Sequence, residues 1–191
     1  SYSSNIMKTE DISRKAVEDK VSTMGDYVKI GYLSNCLKKS LDFDTRKFVL
    51  TTLSKLYEDR KMFSDSAKMM SSAADINTTY QGIISDFVKS AELYIKAGKY
   101  YDAEIAFKKA SSLANTVQKV QIKNKVKEFY KIQALDYMKK DKRKNALEVY
   151  EVLLTLDLDE LERRDVKLKV LSLYETLGKV REYMHLKRTL N

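Results

Sequence analysis

The stretch FVKSAELYIKAGKYYDAEIAFKKA, residues 87–110, decides how the rest of this sequence is interpreted. It contains two helical runs that are separated at Gly98. Apolar residues recur at helical spacing in both runs: Phe87, Ala91 and Tyr94 in the first, and Ala103, Phe107 and Ala110 in the second. Small residues stand where two helices would approach closely, and large ones stand where a gap must be filled. Such a helix–turn–helix unit cannot bury its own apolar face, so we expect it to stack on similar neighbours.

The composition favours a protein built almost entirely of α-helices. The 191 residues include no proline and only five glycines, and 43% are hydrophobic, which is enough for a packed core. No apolar run approaches the roughly 18–20 residues that cross a bilayer. The single cysteine, Cys36, cannot form an internal disulfide and fits a reducing compartment. We expect a cytoplasmic protein, and we leave the polar start SYSSNI out of the fold prediction.

The other units follow from the frame of the first. We predict one right-handed α-solenoid of about ten helices over residues 1–191, with an N-terminal helical pair at 9–40, repeats at 44–76, 79–116 and 117–155, and a degenerate C-terminal repeat or cap at 159–190. The equivalent positions, which hold small residues in the three repeats, are Ser66, Ala103 and Ala146. If the degenerate last repeat is included, Tyr183 is the fourth, and the spacings are 37, 43 and 37 residues. Helix caps are predicted at Asp26, at Asp44 or Thr45, and at Asp157 or Asp159. The first helix is predicted at 9–24.

This frame resembles the tetratricopeptide repeat superfamily, most strongly over residues 84–160. The resemblance implies a superhelix whose first helices line a concave groove, and it implies an adaptor that holds a peptide or helix there. The long repeats also resemble the soluble attachment proteins of vesicle fusion and the helical arms of scaffold complexes.

Some members of the superfamily bind acidic C-termini through a carboxylate clamp of Lys, Asn, Asn, Lys and Arg. The matching positions here hold Thr51, Lys55, Val88, Glu92, Lys131 and Leu135. The asparagines are missing, and Glu92 would place a negative charge against the bound carboxylate. We therefore do not expect that clamp.

The sequence gives little support for catalysis, and we expect no enzyme activity, no cofactor and no metal. His185 is the only histidine and is interpreted as a residue of a helix surface or interface, while Cys36 is interpreted as a small buried residue. No phosphate-binding glycine loop occurs. The acids at Asp157, Asp159, Glu160 and Glu162 are interpreted as helix-capping charges. Most tyrosines are assigned to packing, and one of the adjacent Tyr100 and Tyr101 is expected to be exposed.

Basic charge is concentrated in one part of the chain. Residues 108–144 contain twelve lysines or arginines against three acids, while the remainder holds 24 basic and 24 acidic residues. Within this window Lys119, Lys123, Lys127 and Lys131 lie four apart and form a ridge along one helix face. Three interpretations stay open: a solvated face that aids solubility or pairs with acids elsewhere in the solenoid, a surface for an acidic protein partner, or a surface for nucleic acid or anionic lipid.

We predict a non-enzymatic scaffold or adaptor that binds an acidic extended or helical protein segment on a concave or basic face. The alternatives are a membrane-trafficking adaptor and a binder of phosphate-rich surfaces. No small-molecule substrate is expected. The candidate groove residues are Lys55, Lys89, Glu92, Lys96, Glu128, Lys131 and Lys139, and the candidate ridge residues beside the groove are Lys123 and Lys127.

Overall fold

A computed structural model of the chain describes residues 12–190, which form ten α-helices and no strand. The prediction of an all-α helical-repeat protein is confirmed. The chain divides between Asn115 and Thr116 into two compact units. We describe each unit by itself, and the single domain over 1–191 stays a prediction.

The helices of the first unit are α1 (Arg14–Val21), α2 (Asp26–Cys36), α3 (Phe43–Asp59), α4 (Phe63–Ile76), α5 (Tyr80–Lys96) and α6 (Tyr100–Ser112). Those of the second unit are α7 (Thr116–Lys139), α8 (Arg143–Leu154), α9 (Glu160–Thr176) and α10 (Val180–Arg188). In the first unit α3, α4, α5 and α6 pack in sequence, each on the next, and in the second unit α7 to α10 do the same. This is the packing of stacked helix pairs.

One turn is repeated in four helix pairs. A residue with left-handed φ ends the first helix of each pair: Lys61 (60°), Gly98 (73°), Asp141 (56°) and Gly178 (70°). The N–H of the following residue then donates to a tyrosine carbonyl at 2.8 Å: Met62 to Tyr57, Lys99 to Tyr94, Lys142 to Tyr137, and Lys179 to Tyr174. This is a Schellman cap, which satisfies carbonyls that the helix end leaves free. The spacings of 37, 43 and 37 residues equal those predicted from the small residues.

The helix starts show a second repeated feature, which corrects the predicted cap of α3. Asp42, rather than Asp44 or Thr45, caps α3, because its carboxylate accepts from the N–H of Thr45. Asp159 caps α9 in a capping box with Glu162, as one of the two predictions had it. Four residues into each helix, an arginine donates back to the end of the preceding helix: Arg46 to the carbonyls of Leu37 and Lys39, and Arg163 to those of Leu154 and Leu156.

The N-terminal helix is shorter than predicted. Of the predicted span 9–24, residues 9–11 lie outside the described residues, and α1 occupies Arg14–Val21 with Ser13 as its cap. Gly25 caps α2, so the predicted cap Asp26 is instead the first helical residue. Val17, Val21, Leu33 and Cys36 are buried together against α3, which confirms Cys36 as a core residue.

The close approaches between paired helices fall at the predicted small residues. Ala103 and Ala146 are buried, and so is Ser66, whose hydroxyl donates to the carbonyl of Ser54 at 2.6 Å while the two hydroxyl oxygens lie 2.9 Å apart. Tyr183, at the corresponding place in α10, is only half-buried, and α10 has no buried residue. The last pair therefore keeps the repeated turn and loses the close contact. Among residues 12–190, no helix has both the length and the apolar character needed to cross a membrane.

Candidate partner-binding surface

The predicted groove residues of the first unit form a network of ion pairs. The carboxylate of Glu58 on α3 lies 3.2 Å from the ammonium of Lys89 and 3.6 Å from that of Lys96, both on α5. Glu92 lies between these lysines along the helix, at 3.7 and 3.4 Å from them. The two carboxylates and the two ammonium groups therefore neutralise one another's charge. The negative charge of Glu92, which counted against a carboxylate clamp, is matched locally by two lysines.

Lys55, the remaining candidate of the first unit, lies apart from this network. Its ammonium is 3.9 Å from Asp59 one turn further along α3, and both side chains are largely exposed. Such a pair contributes little to stability, because water and salt screen it. Eight of the 17 residues of α5 are buried, and among the exposed large apolar residues it contributes only Tyr80 at its start. The first unit therefore offers a paired, polar surface at the predicted positions.

Three of the four ridge lysines of α7 pair with acids at or just before the start of α9, while Lys119 is exposed. The ammonium of Lys123 lies 2.7 Å from Asp157, and those of Lys127 and Lys131 lie 2.9 and 3.2 Å from the two oxygens of Glu162. Lys127 is only 8% exposed. This corrects the expectation that Lys127 is available to a partner, because its charge is already engaged. The interpretation that the ridge answers acids elsewhere in the chain describes Lys123, Lys127 and Lys131.

Glu162 joins two helices and starts one of them. Its carboxylate accepts from Lys127 and Lys131 and also from the N–H of Asp159 at 3.3 Å. The hydrogen bond from Lys127, with those from Asp159 and Lys131, lowers the pKa of Glu162 to about 2. Sequence reasoning identified Glu162 only as a capping charge. Its ion pairs span 31 and 35 residues, a separation that periodicity within one helix does not reveal.

Beside the ridge, α7 and α9 expose an aliphatic surface, which we name the α7–α9 face. It consists of Ile132, Leu135, Met138, Leu161 and Leu168, which are between 40 and 82% exposed. Leu135 lies one turn beyond Lys131 on α7, and Leu161 immediately precedes Glu162 on α9. α8 packs against both helices and reverses the chain between them, so α7 and α9 run in the same direction. Exposed apolar rows of this kind mark interaction sites more often than scattered single residues do.

The predicted residues Glu128 and Lys139 border this face. Glu128 is exposed one turn before Ile132, and Lys139 is exposed directly after Met138. Lys139 opens the turn between α7 and α8, where Lys140 pairs with Asp136 at 2.9 Å and Arg143 pairs with Asp141 at 3.0 Å. Within residues 12–190, no ion pair engages Lys139, Lys142 or Lys144, which we name the basic turn. Lys144 lies on α8, where it lines a pocket together with Glu148, Glu151 and Lys179.

The residues considered for chemistry lie apart. Cys36 is buried in the first unit, and His185 is exposed on α10. Within the described part of the chain, no three His, Cys, Asp or Glu side chains are grouped so that they could hold a metal ion. Tyr101 is 76% exposed and Tyr100 is half-buried, as expected for adjacent helical positions. Tyr130 and Tyr150 are buried, which agrees with their assignment to packing.

No protein-family model matches the sequence, and no curated protein matches it. Solved structures do match, among them "Crystal structure of BtubC (BKLC) from P. vanneervenii". That chain is 13% identical, and the match covers 92% of this chain and 75% of that one with a TM-score of 0.39. A similarity at this level supports no argument about function.

Proposed function

We propose that the protein is a non-enzymatic adaptor or scaffold of tetratricopeptide-like repeats that binds another protein through its second unit. The observation that supports this most is the α7–α9 face, where five large aliphatic side chains are exposed on α7 and α9. Exposed apolar side chains that are grouped on one part of a protein mark interaction sites. A cytoplasmic location, which fits the lone cysteine, is part of the same proposal.

The ion pairs favour the α7–α9 face over the residues first considered. In the first unit Lys89, Glu92 and Lys96 satisfy one another together with Glu58, and a partner would have to replace those contacts. Lys127 is closed off by Glu162. The α7–α9 face requires no such exchange, because its apolar side chains already meet water. Binding there would gain from the burial of aliphatic surface.

An anionic surface, either a lipid membrane or nucleic acid, is the second candidate, and it includes a trafficking adaptor. The observation that favours it is the basic turn, since no ion pair of the described residues engages Lys139, Lys142 or Lys144. Phosphate-driven binding would fall steeply as salt rises and would depend little on partner sequence. The turn contributes only Arg143 as an arginine, and that guanidinium is paired with Asp141, so bidentate phosphate contacts are not provided.

Affinity purification of interacting proteins, with mass spectrometry, tests the proposal. The bait is the full chain, compared with Leu135→Asn and with the triple change Lys139→Glu, Lys142→Glu and Lys144→Glu. The matched control reverses Lys15, Lys20 and Lys38, which are exposed in the first unit and change the net charge equally. We expect a protein that wild type and the control retain and that both test variants lose, and it should bind again as a purified pair.

A variant in which Lys123, Lys127 and Lys131 are replaced by glutamate is unsuitable for this purpose. It would break three ion pairs inside the second unit and so test folding as well as binding. Retention of no protein by wild type, with sedimentation of the chain on vesicles containing anionic lipid, would replace the proposal with the second candidate.

A further inference from the structure

The second unit contains a cavity of about 620 Å³ between α8 and the turn that joins α9 to α10. Six residues of α8 and its C-cap recur at steps of three and one positions and therefore share one face of that helix. Cavities of roughly 300–1,000 Å³ are the usual size of small-molecule sites in proteins. The lining residues are Lys144, Leu147, Glu148, Glu151, Val152, Thr155 and Lys179.

This cavity, which we name the α8 pocket, has an apolar floor and one wall with a fixed backbone. Leu147 is only 3% exposed and Val152 is half-buried, so aliphatic surface lies between the charged residues. Lys179 follows the left-handed Gly178, and its N–H donates to the carbonyl of Tyr174 at 2.8 Å. An apolar group placed in the pocket would gain from burial against this floor.

The charged side chains of the α8 pocket have no ion-pair partner. Within residues 12–190, no ion pair engages Lys144, Glu148, Glu151 or Lys179. Lys144 and Glu148 are one helical turn apart, the spacing at which Lys140 does pair with an acid, and yet they stay separate. The four charges are therefore available to a ligand without the loss of an existing ion pair.

The balance of these charges favours a ligand with one positive charge. Although Glu151 is exposed as a residue, burial of its carboxyl group in the pocket raises its pKa; Lys179 opposes this rise, and Glu148 and Glu182 add to it. Three carboxylates around the pocket thus face two ammonium groups, those of Lys144 and Lys179. A single cation would balance the excess acid, and an anion would increase it.

We propose that the α8 pocket binds a small organic molecule whose single ammonium or guanidinium group pairs with Glu148 and Glu151 and whose apolar body lies on the aliphatic floor. Lys144 and Lys179 select against polycations, because a second positive charge on the ligand would be repelled by one of them. This inference goes beyond the proposed adaptor function, which concerns the α7–α9 face, and adds a ligand site to the same unit.

Four probes that differ in charge test the proposal: phenethylamine, phenethyl alcohol, phenylacetate and spermine. Each is titrated into the isotope-labelled full chain and followed by NMR, together with a panel of other aryl- and alkylamines. We expect an amine with one charge to bind in the millimolar range or tighter and to shift the amide signals of Leu147 and Val152. The alcohol, phenylacetate and spermine should bind at least about three-fold more weakly.

Variants of the pocket should change the affinity for the best amine in opposite directions. Glu151→Gln should weaken binding about five-fold or more, because a charge-assisted hydrogen bond is lost. Lys179→Gln should strengthen it about two-fold, because a repelling charge is removed. Glu128→Gln changes an exposed acid on α7 outside the pocket and should alter the affinity less than about two-fold, because salt screens that charge.

Several results would overturn the inference. These are binding of phenylacetate or the alcohol as tight as that of the amine, tighter binding of spermine, no binding by any amine of the panel at millimolar concentration, or equal affinities of Glu151→Gln and Glu128→Gln. A partner protein that wild type retains and Glu151→Gln loses, with no amine bound, would assign the pocket to a basic side chain of that partner instead. The adaptor function is tested separately by Leu135→Asn, since Leu135 does not line the pocket.

Discussion

Replacement of Glu162 by glutamine removes one charge from the contact between α7 and α9. Glutamine has nearly the same shape and can still accept at the third position of a capping box, so the start of α9 is preserved. What is lost is the partner of Lys127, whose side chain is 10% exposed, and of Lys131, whose side chain is 37% exposed. The substitution therefore isolates the electrostatic part of the role of Glu162.

The two lysines set the size of the effect. A hydrogen bond to a charged group contributes about 1.5–3 kcal/mol, and a buried ammonium left without an acid adds a desolvation cost. The half-exposed Lys131 contributes at most about 1 kcal/mol, because solvent screens it. We expect Glu162→Gln to lower the free energy of unfolding by about 2–3 kcal/mol. Glu160→Gln, an exposed first-turn acid of the same helix, should cost only about 0.3–1 kcal/mol through the helix dipole.

Urea unfolding followed by circular dichroism, with hydrogen exchange of α7 and α9, measures this difference. Exchange in α9 should accelerate in Glu162→Gln, while α3 to α6 of the other unit should keep their wild-type rates. A second change, Lys127→Met, should restore part of the lost stability, because an apolar side chain replaces the unpaired ammonium. The reasoning is refuted if Glu162→Gln is no more destabilised than Glu160→Gln and α9 exchanges at the wild-type rate.

Three further outcomes are expected. The pKa of Glu162 is about 2 in the folded chain and 4.5 ordinarily. Its contribution to stability is therefore complete above about pH 4.5 and disappears as the pH falls toward about 2. Acid titrations of wild type and Glu162→Gln should differ in that window. Ser66→Ala and Ser54→Ala should each lower the unfolding free energy by about 0.5–1.5 kcal/mol, because the remaining hydroxyl still donates to a main-chain carbonyl. The double variant should lose less than the sum, because either change alone already removes the contact between the two hydroxyls. Strict additivity in urea unfolding would contradict this coupling. Lys61→Gly should raise the midpoint of thermal unfolding, because the left-handed φ costs a lysine about 1 kcal/mol, while Lys68→Gly inside α4 should lower it.

Much of the fold could be predicted because each repeat needs the same kinds of residue at the same positions. Small residues at Ala103 and Ala146 and glycines at Gly98 and Gly178 located the helix pairs and their turns. The Schellman turn at Lys61 was harder to recognise, because lysine occupies a backbone conformation that glycine usually takes. The cap at Asp42 was missed for a related reason. Three acceptable capping residues follow one another within four positions there, and only the backbone geometry selects among them.

The surface was predicted less well, because charge and periodicity do not reveal partners that are distant in sequence. The four-residue spacing of Lys123, Lys127 and Lys131 correctly placed them on one side of α7. It did not show that Asp157 and Glu162 lie opposite them, since this depends on how α8 returns the chain. Lys139 was predicted as a candidate binding residue, and its side chain is exposed. Leu135 was noted only as a clamp position, although its exposure makes it central to the proposed surface.

Lysine acetylation footprinting of the full chain, alone and with the partner protein retained in affinity purification, tests the division between an internal ridge and an open surface. In the free chain Lys139, Lys142 and Lys144 should react readily and Lys127 slowly, and the partner should protect Lys139. Equal reactivity of Lys127 and Lys139 in the free chain, or protection of lysines in the first unit instead of the basic turn, would contradict the proposed surface.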